Sequence, residues 1–133
     1  MCDSITFTQC GEDGVYAENT KGRLINCVIT QCGDCGIYCG GEALIKVEGR
    51  QTKVDGNGIG DGDQRYGLYT CDTSSIIHLL FPLTKESVST NNHRGGNYGS
   101  CGGTIAIVDS DGTIIQVINK VEAAMGAESD DDY

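Results

Sequence analysis

Ile5-Thr-Phe-Thr-Gln-Cys-Gly-Glu-Asp-Gly-Val-Tyr-Ala17 and Cys27-Val-Ile-Thr-Gln-Cys-Gly-Asp-Cys-Gly-Ile-Tyr-Cys39 are two copies of one pattern. Thr8-Gln9-Cys10-Gly11 returns 22 residues later as Thr30-Gln31-Cys32-Gly33, and Gly14-Val15-Tyr16 returns at the same offset as Gly36-Ile37-Tyr38. A third copy, Gly67-Leu68-Tyr69, arrives after 31 residues, and the glycine- and aspartate-rich stretch from Gly58 to Tyr66 accounts for the added length. Self-similarity at a fixed period marks structural units that cannot bury their apolar faces alone and so stack on one another.

Each unit carries three short β-prone runs. The first is the Gly-aliphatic-Tyr element. The second is Arg23–Asn26, Ala43–Val47 or Ser75–Leu80, and the third is Cys27–Thr30, Gln51–Val54 or Ser87–Thr90. All are too short and too closely bounded by glycine to sustain the three-and-four spacing of a helix. The sequence therefore predicts an all-β chain, a short right-handed parallel β-helix (solenoid) of about four or five coils, with strands of successive coils paired ~4.8 Å apart. Equivalent residues then form columns. Val15, Ile37 and Leu68 are expected inside, with Tyr16, Tyr38 and Tyr69 forming an aromatic stripe on the opposite face.

Thr104–Val117, with Asp109-Ser-Asp-Gly112 at its centre, carries a hairpin signal, and Ile118, Val121 and Met125 share one face at helical spacing. The expected organisation is a β-helix repeat domain over 1–103, a capping hairpin and short helix over 104–126, and an acidic, disordered tail over 127–133. No such cap precedes Ile5, which points to a partner, self-stacking or a preceding segment at that end.

The units resemble the parallel β-helix repeats of the pectate-lyase-like superfamily over roughly residues 5 to 92. That resemblance implies either of two uses. The superfamily holds polysaccharide lyases and epimerases, and also binding domains such as the substrate-recognition β-helices of some F-box proteins. Its enzymatic motifs are missing here. There is no Asp-Pro-His-Glu, the only proline being Pro82, and no Gly-His-Gly or Arg-x-Lys.

A net charge of −10 opposes binding to nucleic acid and to anionic lipid, both of which require cationic side chains. No apolar run of ~18 residues is present, so no membrane-inserted helix is expected. The residues from Met1 onward lack the basic flank and apolar core of an export signal, so an intracellular setting with buried free thiols is expected for the eight cysteines.

Candidate chemistry is sparse. Cys32-x-x-Cys35-x-x-x-Cys39 has metal-like spacing, but Cys32 aligns with Cys10, as an interior column would give. Asp55, Asn57, Asp61 and Asp63 supply oxygen ligands on a glycine-rich loop, which makes calcium the one metal cofactor considered; an EF-hand is ruled out by Ile59 and Tyr66 at ligand positions. Asp61 and Asp63 facing His93 and Arg94 form the only candidate acid–base cluster. The sequence favours a non-enzymatic protein-binding or structural scaffold module, a subunit or fragment of a larger assembly, with Tyr16, Tyr38 and Tyr69 as the binding surface. The alternative is a carbohydrate-binding or lyase- or epimerase-like β-helix.

Overall fold

A computed structural model describes residues 1–60, 66–92 and 96–118. Nearly all of the described elements are strands, arranged in three sheets. The first sheet runs β1 (Cys2–Asp3), β4 (Lys21–Ile25), β7 (Leu44–Glu48), β10 (Ile76–Leu80), β13 (Thr104–Val108) and β14 (Ile114–Val117). In the second, β2 (Thr6–Thr8), β5 (Val28–Thr30), β8 (Lys53–Asp55) and β11 (Ser89–Thr90) are neighbours in that order. The third aligns β3 (Val15–Glu18), β6 (Ile37–Gly40), β9 (Tyr66–Cys71) and β12 (Gly96–Cys101). The chain visits the three sheets in turn, so each layer adds one strand to each sheet. Every pairing is parallel except β13 with β14.

The register places repeat-equivalent residues side by side. Val15 pairs with Ile37, Ile37 with Leu68 and Leu68 with Tyr98. Phe7, Ile29, Val54 and Ser89 align in the second sheet, and Leu24, Val47, Leu79 and Ile107 in the first. Ile29, Ile37, Val47, Val54, Leu68, Ile77, Leu79 and Ile105 are fully buried and belong to one core shared by the three sheets. Each such side chain contributes roughly 1.5–3 kcal/mol by leaving water.

Sharp bends between the sheets fall at fixed points. Asn19 (φ 55°), Gly41 (φ 62°), Asp72 (φ 83°) and Gly102 (φ 110°) occupy one corner in successive layers, all in the left-handed region. Asn and Asp tolerate that region, and glycine adopts it freely. The Asn19 side chain accepts a hydrogen bond from the Glu42 N–H (3.0 Å), and a Cβ on Gly41 would overlap it. Asn26 and Gly49 repeat the device at a second corner, where Asn26 accepts from the Gln51 N–H (3.0 Å).

A third corner carries an interior polar ladder. Cys10, Cys32, Asn57 and Asn92 each follow the second-sheet strand by the same offset. Asn57 is fully buried; its Oδ1 accepts from the Cys32 N–H and its Nδ2 donates to the Ile29 carbonyl, both at 3.0 Å. One layer on, Asn92 accepts from the Asn57 N–H and donates to the Val54 carbonyl, again at 3.0 Å.

Two expected elements differ. Ser87–Thr90 is not wholly strand, because Lys85–Val88 forms a helical turn, α1, and only Ser89–Thr90 pairs. A capping box explains this: Thr84 Oγ1 accepts from the Ser87 N–H (3.1 Å) and the Thr84 N–H donates to Ser87 Oγ (3.0 Å). The 104–117 hairpin exists, but β13 pairs in parallel with β10 and thus continues the first sheet, and only β14 turns back. The Asp109 carboxylate ties the turn by accepting from the N–H groups of Asp111 (3.1 Å) and Thr113 (3.0 Å). Of the helix expected over 118–125 only Ile118 is described, buried and donating its N–H to the Ile105 carbonyl (2.8 Å); the rest of it and the tail over 127–133 lie outside the described residues.

Asn57→Ala orphans the Cys32 N–H in the core and removes one hydrogen bond to the Ile29 carbonyl. It should lower unfolding stability in urea by about 1–3 kcal/mol for each group left unpaired. Asp55→Ala, two residues away on the outer face, should change it by less than about 0.5 kcal/mol.

Candidate functional site

Tyr16, Tyr38 and Tyr69 occupy one outward column on the third sheet. The Tyr16 and Tyr38 rings are stacked, with centroids 4.9 Å apart and planes 2° from parallel. Tyr38 and Tyr69 are tilted by 38° at 5.7 Å. Offset stacking contributes ~0.5–1.5 kcal/mol per pair beyond the area it buries.

The sequence reading missed a fourth ring. Tyr66, at the start of β9, stacks on Tyr69 at 5.2 Å with planes 4° apart. The column position in the next layer is Gly99, where a Cβ would sit 2.5 Å from the Tyr66 ring. Gly99 paired with Tyr69 was the available signal: a glycine at the column position leaves room for a ring from elsewhere.

The column is unevenly accessible. Tyr69 is 5% exposed, whereas Tyr16 is 58% exposed. Tyr69 therefore supports the stack, and Tyr16 offers the free ring face. The Tyr16 hydroxyl donates to Glu18 Oε1 (2.7 Å), and that carboxylate, followed by burial, raises its pKa. The Cys71 thiol beside the Tyr38 hydroxyl, and then burial, raise Tyr38; burial and then Cys101 raise Tyr69. All three phenols are neutral at physiological pH, so the stripe carries no charge of its own.

A second surface lies on the outer face of the first sheet. Arg23, Lys46 and His78 align across β4, β7 and β10, with Lys21 two residues before Arg23. Two shallow pockets meet along this row. One is lined by Met1, Lys21, Arg23 and Leu44, the other by His78, Leu80, Val108 and the 109–112 turn, and Leu44 and Lys46 line both. Arg23 pairs with Glu48 at 2.6 Å. The row is a local cationic strip in an acidic chain.

The expected acid–base cluster of Asp61, Asp63, His93 and Arg94 lies outside the described residues. Asp55 and Asn57, grouped with Asp61 and Asp63 as calcium ligands, do not face one another. Asp55 belongs to the outward Thr30–Asp55–Thr90 column, while the amide of Asn57 is engaged in the interior ladder. Asn57 is thereby withdrawn from any ligand set. Cys32, Cys35 and Cys39 also separate. The Cys32 thiol contacts the Thr30 carbonyl (3.7 Å), Cys35 Sγ accepts from the Tyr66 N–H (3.5 Å), and Cys39 contacts the Ala43 and Ile76 carbonyls (3.4 Å each). Burial pushes the Cys32 and Cys35 thiols up to about 11. All eight cysteines are free, and among the described residues no three His, Cys, Asp or Glu side chains converge as metal ligands. No described helix is long and apolar enough to cross a membrane.

No protein-family model matches the chain, and no curated protein or solved structure matches it either.

Burial, and then the Lys46 ammonium, lower the His78 imidazole below its ordinary 6.5. The folded chain therefore binds this proton more weakly than the unfolded chain does. Its contribution to stability is full above about pH 6.5 and is lost as the pH falls from there through the lower folded value. His78→Gln should flatten the fall in urea midpoint between about pH 7 and pH 5 relative to the parent chain. Lys46→Gln should move the His78 NMR titration upward. Identical pH slopes and an unmoved titration would contradict this electrostatic account.

Proposed function

We infer that the chain is a short right-handed parallel β-helix serving as a non-enzymatic protein-binding or scaffold module, and that it receives its partner on the layer built by β1, β2 and β3. One observation carries this reading. Among the described residues each of those strands ends its sheet and leaves one edge unpaired. Their inward side chains Cys2, Phe7, Cys10 and Val15 are only partly covered, whereas Leu24, Ile29, Cys32 and Ile37, one layer in, are buried. An unpaired row of backbone N–H and C=O groups beside an apolar surface is a template for strand addition. The right-handed sense follows from the strong bias of parallel strand crossovers.

Charge narrows the partner. Residues 1–20 include Asp3, Glu12, Asp13 and Glu18 and no Lys or Arg. An extended segment with apolar side chains and cationic flanks complements that end. A second copy docked through the same end would bring like charges together, which works against that mode of self-stacking. The free face of Tyr16 borders the same layer and supplies a rigid anchor with a polar tip. That ring face also suits a sugar, which keeps the carbohydrate-binding reading as the alternative, in line with the resemblance to the pectate-lyase-like superfamily.

Partners retained by the full chain should be tested by hydrogen–deuterium exchange of the complex. Amides over residues 2–18 should exchange more slowly when the partner is bound. Phe7→Lys, at the half-covered end, should weaken the complex at least about tenfold. Protection confined to other sheets, or full binding by Phe7→Lys, would overturn the assignment. Tyr16-dependent glycan binding with no protein complex would transfer it to carbohydrate.

A further inference from the structure

Two thiols pair on the outward face of the third sheet, although Cys2 and Cys10 are half-buried as well. Cys71 of β9 and Cys101 of β12 are in-register partners on neighbouring strands. Both lie two residues beyond the tyrosine-column position and share its outward face. Cys101 is exposed and Cys71 half-buried, whereas Cys27, Cys32, Cys35 and Cys39 are buried. Their backbones are locked together at this point. The Asp72 N–H donates to the Cys101 carbonyl (3.3 Å), and Cys71 forms a further bridge with Gly102. Tyrosine hydroxyls flank the thiols, Tyr38 beside Cys71 and Tyr69 beside Cys101.

This geometry discriminates between two chemistries. A disulfide requires Cβ atoms about 3.8 Å apart, with side chains directed toward each other. In-register parallel strands instead hold equivalent side chains ~4.8 Å apart and pointing the same way. A metal joined linearly to two thiolates by bonds of about 2.3 Å, the length of a zinc–thiolate bond, spans ~4.6 Å and suits that ladder. Zinc itself takes four ligands, and no third His, Cys, Asp or Glu joins the pair among the described residues. A cation content with two soft sulfur ligands is required, which selects the closed-shell monovalent metals represented by copper(I).

We propose that Cys71 and Cys101 form a two-thiolate binding site for a soft monovalent cation of the copper(I) class, bridging two adjacent strands of the third sheet. Binding converts one cation and two thiols into a bis-thiolate complex and releases two protons. No electron is transferred. Because two protons leave per cation, apparent affinity should rise with pH. The site is independent of the partner-binding layer, which lies at the other end of the sheet.

The test is anaerobic titration of the reduced full chain with copper(I) against a competing chelator, with copper K-edge absorption of the loaded protein. The expected result is one copper per chain with two sulfur neighbours. Cys71→Ser and Cys101→Ser should each abolish that binding, while the Cys2→Ser/Cys10→Ser double variant should retain it. Because Cys101 is exposed, Cys101→Ser is expected to keep the parent circular-dichroism spectrum, which separates loss of a ligand from loss of the fold. Full copper binding by Cys101→Ser would overturn the proposal. So would a two-hydrogen mass loss on mild oxidation that is confined to this pair and prevents binding, since that would show the thiols near enough to form a disulfide.

Discussion

Backbone pairing between successive layers holds equivalent residues ~4.8 Å apart, and every side chain has to tolerate a near-copy of itself at that distance. Aliphatic residues satisfy this inside, where Val15, Ile37 and Leu68 sit side by side and each completes the burial of the next. Asparagine satisfies it at the corners, because one amide can accept from the layer below and donate to another carbonyl, as Asn57 and Asn92 do in sequence. Tyrosine satisfies it outside, where flat rings stack face to face. The same constraint explains the glycines beside Asn19 and Asn26: a side chain that reaches across a layer needs its neighbour to be small.

Because these columns are periodic, the regular part of the molecule was legible from residues alone. The offsets linking Val15, Ile37 and Leu68, and likewise Tyr16, Tyr38 and Tyr69, are the register found in the sheets. Legibility fails where the period breaks. The 84–88 turn interrupts a run that reads as strand, since a capping pair outweighs three residues of β propensity. Asn57 reads as a loop ligand among glycines and aspartates; its place in the interior ladder emerges only when Cys10, Cys32, Asn57 and Asn92 are aligned across unequal spacings. Tyr66 was overlooked because its ring enters a column from a neighbouring position, over Gly99. Cys71 and Cys101 escaped notice because cysteine was equated with the interior, although period two along β9 and β12 places both outside.

The candidate surfaces follow from how the stack ends and how charge is distributed. At one end the first sheet is extended by β14, while Tyr98 lies against the core and donates from its hydroxyl to the Lys85 carbonyl. At the other, among the described residues, β1, β2 and β3 end their sheets with half-covered apolar groups beside carboxylates. Cations are gathered instead on the outer face of the first sheet, at Lys21, Arg23 and Lys46. The two ends and the faces therefore differ chemically, which lets a short stack present distinct surfaces without any enlargement of its core.

In-register parallel stacking is the central claim, and backbone nuclear Overhauser contacts of the uniformly labelled chain test it most directly. The account predicts inter-strand contacts linking Val15 to Ile37, Ile37 to Leu68, Phe7 to Ile29 and Ile29 to Val54, all in the parallel pattern. Antiparallel contacts among these strands, or a register displaced by one residue, would contradict it, because a one-residue slip would turn the aliphatic columns outward and the tyrosines into the core.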